Sequence, residues 1–274
     1  MSQPRKTFLP RPLAELPAAQ WAAVRGVMTD IDDTLTRGGK IEFEALAALD
    51  LLAAAEVPVI AITGRSLGFC KPLAQAWPVE AIAAENGAVA LIREGAAVRI
   101  EFAQDAATRA AHGLRLLEVA AALQQQVPGA RLAADSGGRV TDIAIDHSEF
   151  AHLDADTVAR VVALMQAAGM TATVSSIHIN GWFGAHDKWS AAQWLVQRLY
   201  GRDLSTEIDR WVYVGDSTND QLLFEHFSLA VGVANLMRFE AELQVWPAFI
   251  TVAERGAGFA EVARAIVATR ARLS

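Results

Sequence analysis

The sequence predicts an α/β protein: a parallel sheet flanked by helices, interrupted by a smaller α+β unit. From Arg25 onward, short β-branched runs alternate with longer amphipathic segments, the pattern of a parallel sheet with helical cover. Between Gly87 and about Gly184 that rhythm gives way to paired strands and long helices, and after Asp187 it returns. The expected organisation is therefore an extension at 1–24 that packs on the core, a core at 25–87 and 185–274, and an inserted unit at 88–184.

Val27, Met28 and Ile31 lie in the first apolar run, and a helix is expected over Glu42 to Ala55. A buried-strand pattern at Val57 to Ile62 ends in Thr63-Gly64, a helix follows over Leu67 to Trp77, and a short strand Ala81 to Ala84 leads into Glu85-Asn86-Gly87. The insert opens with strands at Ala88 to Arg93 and Ala97 to Phe102 and a long helix at Ala106 to Val127, stopped by Pro128-Gly129. Strands are then expected at Arg139 to Asp146 and Thr171 to Asn180, with a helix at Asp154 to Ala168 between them. The core resumes with a helix from Lys188 to Tyr200, a strand Trp211 to Val214, a helix Asn219 to His226, a strand Leu229 to Val233 and a last helix from Gly258.

Composition excludes several classes of function. The most apolar stretch, Ala45 to Thr63, is broken by Asp50, Glu56 and Pro58, so no membrane span is expected. Pro4, Pro10, Pro12, Pro17 and several charges occupy the first 25 residues, where a secretory peptide would need an unbroken apolar run. The single cysteine, Cys70, rules out an internal disulfide and fits a cytoplasmic location. A net charge of −7 gives no overall attraction to nucleic acid or anionic lipid, so an anionic substrate must be drawn in by local groups or a metal.

Asp30, Asp32 and Asp33 crowd the end of the first core strand. Such crowding is costly unless a cation neutralises it, and at the carboxyl end of a parallel strand it forms an oxygen-rich pocket suited to Mg²⁺. An acidic loop capping the next helix is the plainer reading. Asp30-Ile31-Asp32-Asp33-Thr34 resembles the DxDx(T/V) signature of the haloacid dehalogenase superfamily of phosphotransferases. Three more of its signatures follow in order: Ile62-Thr63-Gly64-Arg65, Lys188 at a helix start, and Gly215-Asp216-Ser217-Thr218-Asn219-Asp220. Four ordered motifs are specific where one alone is weak.

The resemblance implies a Rossmann-like core with a type IIB cap of the Cof-like and sucrose-phosphatase-like branch, inserted after Glu85-Asn86-Gly87. It also implies an aspartyl-phosphate phosphatase acting on a small phosphorylated metabolite, with a sugar phosphate as one candidate. Asp30 would be the nucleophile, Asp32 the acid and base, and Thr63, Gly64, Arg65, Lys188 and Asn219 the partners of the phosphate. Mg²⁺ would be held by Asp30, Asp32 through its backbone carbonyl, Asp216 and Asp220. Asp33 stands where the common form of the signature has glycine. A phosphomutase and a broad housekeeping phosphatase share these features, and oligomeric state is not legible.

Each residue also has a plainer role. Lys188 is an ordinary lysine if its place in the motif order is ignored, Thr63-Gly64 a cap and turn, and Arg65 a surface arginine. In Ser176-Ile177-His178-Ile179-Asn180, alternation puts Ser176, His178 and Asn180 on one polar face that meets either substrate or water. His147, His152 and His186 lack metal-ligand spacing and are expected at the surface. Trp182 and Phe183 are expected to pack the hinge, Cys70 to be a packed helix thiol, and Gly38-Gly39 to be a turn.

Overall fold

The computed structural model describes residues 9–272. Its framework is a nine-stranded sheet in the order 11–12, 249–250, 229–232, 211–215, 26–29, 59–62, 81–84, 89–94, 97–102. All pairs are parallel up to Ala81–Ala84, and the last two strands run antiparallel. The strand carrying the carboxylates, Gly26–Thr29, is the middle one, so its carboxyl end opens between two neighbours, Val59–Ile62 and Trp211–Gly215. That is where ligands meet an open α/β sheet.

Alternation along the strands makes two cores. Val27, Val59, Ala61, Val212 and Val214 face helices Phe43–Ala54, Leu67–Ala76 and Arg255–Arg270, while Met28, Ile60, Ile62, Trp211 and Tyr213 face Lys188–Tyr200 and Gln221–His226. Cys70 is buried in the first core. The extension packs on the core over its described part: Arg11–Pro12 adds an edge strand beside Phe249–Ile250, and Leu13, Leu16 and Trp21 join the first core. Residues 1–8 lie outside the described residues. Among the described residues no helix is long and apolar enough to cross a membrane.

The strands of the insert differ from the sequence expectation in two places. Its first hairpin, Val89–Glu94 with Ala97–Phe102, hydrogen-bonds onto the large sheet and not onto the smaller one. Apolar alternation reads alike in either sheet, and pairing partners decide. The strand expected over 171–180 is two antiparallel strands, Thr171–Val174 and His178–Trp182, with Ser176 in the bend between them. These join Asp142–Asp146 and Arg131–Leu132 in a four-stranded antiparallel sheet. Ile143, Ile145 and Ile179 point to helices Ala106–Gln126 and Ala155–Ala167. The opposite face, with Asp142, His178 and Asn180, turns to the large sheet's carboxyl edge.

Gly87 closes the loop before that hairpin at φ +101°, a conformation that strains any side chain. A β-carbon there would lie 2.4 Å from the Asp187 carbonyl oxygen. Asp187 caps the helix that begins at Lys188. Gly87→Ala is therefore expected to cost more than about 1 kcal/mol and to displace that helix start. A melting temperature and activity equal to the parent's would show that the contact is not restrictive.

Candidate active site

Three strand ends and one helix start converge. Asp30 follows the central strand, Thr63 follows Val59–Ile62, and Asp216 follows Trp211–Gly215. The Asp187 carboxylate accepts from Ser190 N at 2.7 Å while the Ser190 hydroxyl accepts from Asp187 N, a capping box that fixes Lys188 as the first helical residue. From there Lys188 Nζ donates to Asp30 Oδ1 and to Asp220 Oδ1, each at 2.7 Å. The sequence alternative, an ordinary exposed lysine, is overturned: Lys188 is 3% exposed.

Asp30, Asp216 and Asp220 offer oxygens within 4.8 Å of one another, all buried. Burial, with repulsion from Asp220 and Asp32 and despite the opposing Lys188, pushes the Asp30 carboxyl up to about 8. Burial and the same crowding raise Asp216 well above the usual carboxylate range. Burial opposes the Lys188 charge, but Asp220 and Asp30 outweigh it and hold its pKa above the usual lysine value. Asp216 Oδ1 is buried without a hydrogen-bond partner among the described residues, while its Oδ2 accepts from Asn235 at 3.2 Å and Arg238 at 3.4 Å. An orphaned carboxylate oxygen beside a second carboxylate fits a hard divalent cation.

Asp220, expected among the metal ligands, also has hydrogen-bond partners on both oxygens. Its Oδ1 takes Lys188 and the Tyr213 hydroxyl, and its Oδ2 takes the amides of Asp216 at 2.9 Å and Ser217 at 3.1 Å. With both oxygens committed, it anchors Lys188 and the turn carrying Asp216. Asn219, expected near phosphate, accepts from the Ser217 hydroxyl and is half-buried. Thr63 is buried, and its hydroxyl accepts from Arg65 N at 3.1 Å, which leaves its own proton to donate. Asp33 sits at φ +54°, a backbone that explains glycine in the common signature; its carboxylate is held by Arg255 at 2.7 Å and Arg238 at 3.3 Å.

Arg65 is no surface arginine. It is 3% exposed and grips both Asp32 oxygens, Nε to Oδ2 at 2.8 Å and Nη2 to Oδ1 at 2.9 Å, while Nη2 also reaches Glu149 Oε1 at 2.7 Å. Glu149 belongs to the insert, in a loop whose four amides, Ser148 to Ala151, all donate to Asp146. Although burial opposes its charge, hydrogen bonds from His178 and Arg65 hold Glu149 down to about 2. His178 reaches the site through Glu149, by a 2.9 Å contact. Asn180 donates to the Gly64 carbonyl at 3.1 Å and to Asp142.

The insert is fastened beside this site by buried polar contacts. Glu85, fully buried, accepts from Leu67 N at 2.9 Å on the core side and from Val140 N, Thr141 N and the Thr141 hydroxyl on the insert side. Arg139 donates to the Gly64 carbonyl at 3.0 Å and pairs with Asp142 and Asp135. Sequence reasoning missed Glu85, Arg139, Glu149 and Asn235 as working residues. Only Glu85 carried a signal, as part of the loop quoted with the motifs.

Residues 27–122 match a family described as haloacid dehalogenase-like hydrolase. A search of curated proteins found no match. Among solved structures, the C-terminal domain of trehalose-6-phosphate phosphatase from C. albicans superposes with a TM-score of 0.69 at 13% identity, covering 95% of this chain and 99% of that one. A protein from Thermoplasma acidophilum gives 0.68 at 16%, covering 89% and 98%. The sucrose-phosphatase from Synechocystis sp., solved with sucrose and phosphate, gives 0.63 at 15%, covering 89% and 98%. At these identities the likeness is one of fold.

Proposed function

We propose that this chain, a haloacid dehalogenase-like hydrolase of the type IIB branch, hydrolyses small phosphomonoesters through an aspartyl-phosphate on Asp30 with Mg²⁺ as cofactor. The observation that carries this reading is the buried Lys188 bridging Asp30 and Asp220, beside an orphaned Asp216 oxygen. A cavity of about 210 Å³ between core and insert, lined by Asp32, Arg65, Glu149, Ser176 and Arg238, supports a compact polar leaving group. The lone, buried Cys70 supports a reducing compartment such as the cytoplasm.

Asp30, Asp216 and the Asp32 carbonyl would hold Mg²⁺, which when bound supplies charge neutralisation for the carboxylates and the phosphoryl oxygens. The Asp30 carboxylate attacks phosphorus, and the P–O bond to the leaving group breaks. Lys188 and the Thr63 hydroxyl hold phosphoryl oxygens as they gain charge. For Asp32 to protonate the leaving oxygen, Arg65 must give up one of its two oxygens, and Glu149 is placed to keep the freed guanidinium edge. Asp32 then takes a proton from water, which attacks phosphorus and returns Asp30. A screen of phosphorylated metabolites with Mg²⁺, reporting kcat/KM, tests the reading. Release of phosphate from none of them, p-nitrophenyl phosphate included, would refute it.

The crowded carboxylates also set a pH dependence. A carboxyl raised to about 8 keeps its proton to higher pH in the folded chain than in the unfolded one. In metal-free protein, the stability it contributes is therefore present near pH 4 and lost as pH rises through about 8. A divalent cation replaces that proton, so the gain in melting temperature on adding Mg²⁺ should be larger at about pH 8 than at about pH 5.5. Equal gains at both values would remove Asp30 from the metal site.

A further inference from the structure

The two chain segments that connect core and insert, 102–104 outward and 183–187 back, run side by side and are joined by a hydrogen bond from Gln104 Nε2 to the Phe183 carbonyl at 3.0 Å. Against them lies a cavity of about 520 Å³ lined by Glu101, Phe102, Gln104, His186, Ser190 and Trp194 among others. None of these residues takes part in the chemistry at Asp30. His186, expected at the surface, is 8% exposed, and neither of its ring nitrogens has a hydrogen-bond partner among the described residues. Its ring stacks on Trp182 with centroids 5.6 Å apart. Two buried, unpaired polar atoms on one ring are costly and call for an explanation.

Burial, reinforced by His112 and opposed by Asp187, holds His186 down to about 4. The imidazole is therefore neutral near pH 7, with one N–H donor and one lone pair. Gln104 adds a donor, since its amide nitrogen has two hydrogens and one serves Phe183. Among the described residues Glu101 is the only charged one in the lining, and it is already paired with Arg99 and Arg198. Among the described residues the lining holds no cation to bind a phosphate or carboxylate. Phe102 and the half-buried Trp194 supply aromatic surface. The cavity's size and its apolar lining with a few convergent polar groups are those of a small-molecule site.

We propose that this cavity is a second binding site, distinct from the Asp30 centre, for a flat, neutral aromatic heterocycle with neighbouring hydrogen-bond donor and acceptor, of nucleoside size. His186 pairs with the polar edge, and the ring body lies on the aromatic lining. The bound molecule touches both connecting segments and, through Ser190, the helix that starts at Lys188, so its occupancy is coupled to how the insert meets the core.

Titration calorimetry of the full chain with adenosine, guanosine and uridine tests the site. None carries a phosphate, so the outcome does not depend on phosphatase activity. At least one is expected to bind, and His186→Phe, which keeps the ring but removes its nitrogens, should weaken it about tenfold, as loss of one or two buried hydrogen bonds implies. Trp194→Ala should weaken binding independently should the first variant misfold. Inorganic phosphate affinity should be unchanged in both. No binding by the parent chain, equal binding by the variants, or a nucleoside affinity that falls without limit as phosphate rises, as for one shared site, would overturn the proposal.

Discussion

Asp30→Asn is expected to abolish phosphate release and phosphoenzyme together, because an amide cannot serve as the attacking carboxylate. Asp32→Asn should behave differently, although the two residues are neighbours in one acidic cluster. It keeps the nucleophile, and its amide oxygen can still accept from Arg65, but it can no longer donate or take up a proton. With p-nitrophenyl phosphate the leaving group needs little acid help, whereas hydrolysis of the intermediate still needs a base. Phosphate should therefore accumulate on Asp30 while steady turnover falls by roughly 10² to 10⁴, the range for lost acid–base catalysis. Mass spectrometry after rapid acid quench reads both outcomes. Phosphate on another residue, or normal turnover by Asp32→Asn, would overturn the assignment.

Lys188→Met should carry the largest stability effect. Lys188 is the only cation hydrogen-bonded to Asp30 and Asp220 among the described residues, and each bond is 2.7 Å long. Removing one partner of a buried ion pair costs about 3 to 5 kcal/mol, because the remaining charges are left in low dielectric. Activity should fall by about 10² to 10³ or more through loss of a donor to the phosphoryl group. The double variant Lys188→Met/Asp220→Asn separates the two roles: lowering the charge opposite should recover part of the melting temperature and none of the turnover. Recovery of turnover would show that Lys188 only balances Asp220.

The core was legible because its residues obey local rules. Strand periodicity placed Asp30, Thr63 and Asp216 at strand ends, and the structure puts those ends side by side. Helix Lys188–Tyr200 begins where the sequence predicts, because its capping box lies within four residues. The rest depends on pairing that periodicity does not encode. The hairpin at 89–102 alternates equally well for either sheet. Arg65 looks like any arginine at a helix start until its partners 33 and 84 residues away arrive. His178 and Asn180, expected on a polar face that meets substrate or water, are buried and hydrogen-bond to Glu149 and to the Gly64 carbonyl, contacts that alternation does not reveal. Glu149 carries no motif at all, and its position comes from four amides folded around Asp146.

The Glu85 junction bears on how such proteins diversify and how they can be engineered. A carboxylate buried without its donors is strongly destabilising, and Glu85 draws all but one of its donors from Val140 and Thr141 of the insert. Transplanting a foreign insert onto this core at the connecting segments alone would strand that charge and release the Gly64 carbonyl from Arg139 and Asn180. A working chimera must therefore import a matching pair of free amides and a replacement for the arginine, or exchange Glu85 for a neutral residue at the same time. Substrate range in this scaffold is in that sense not interchangeable hardware: the part that would select the leaving group also holds the backbone of the loop after Thr63.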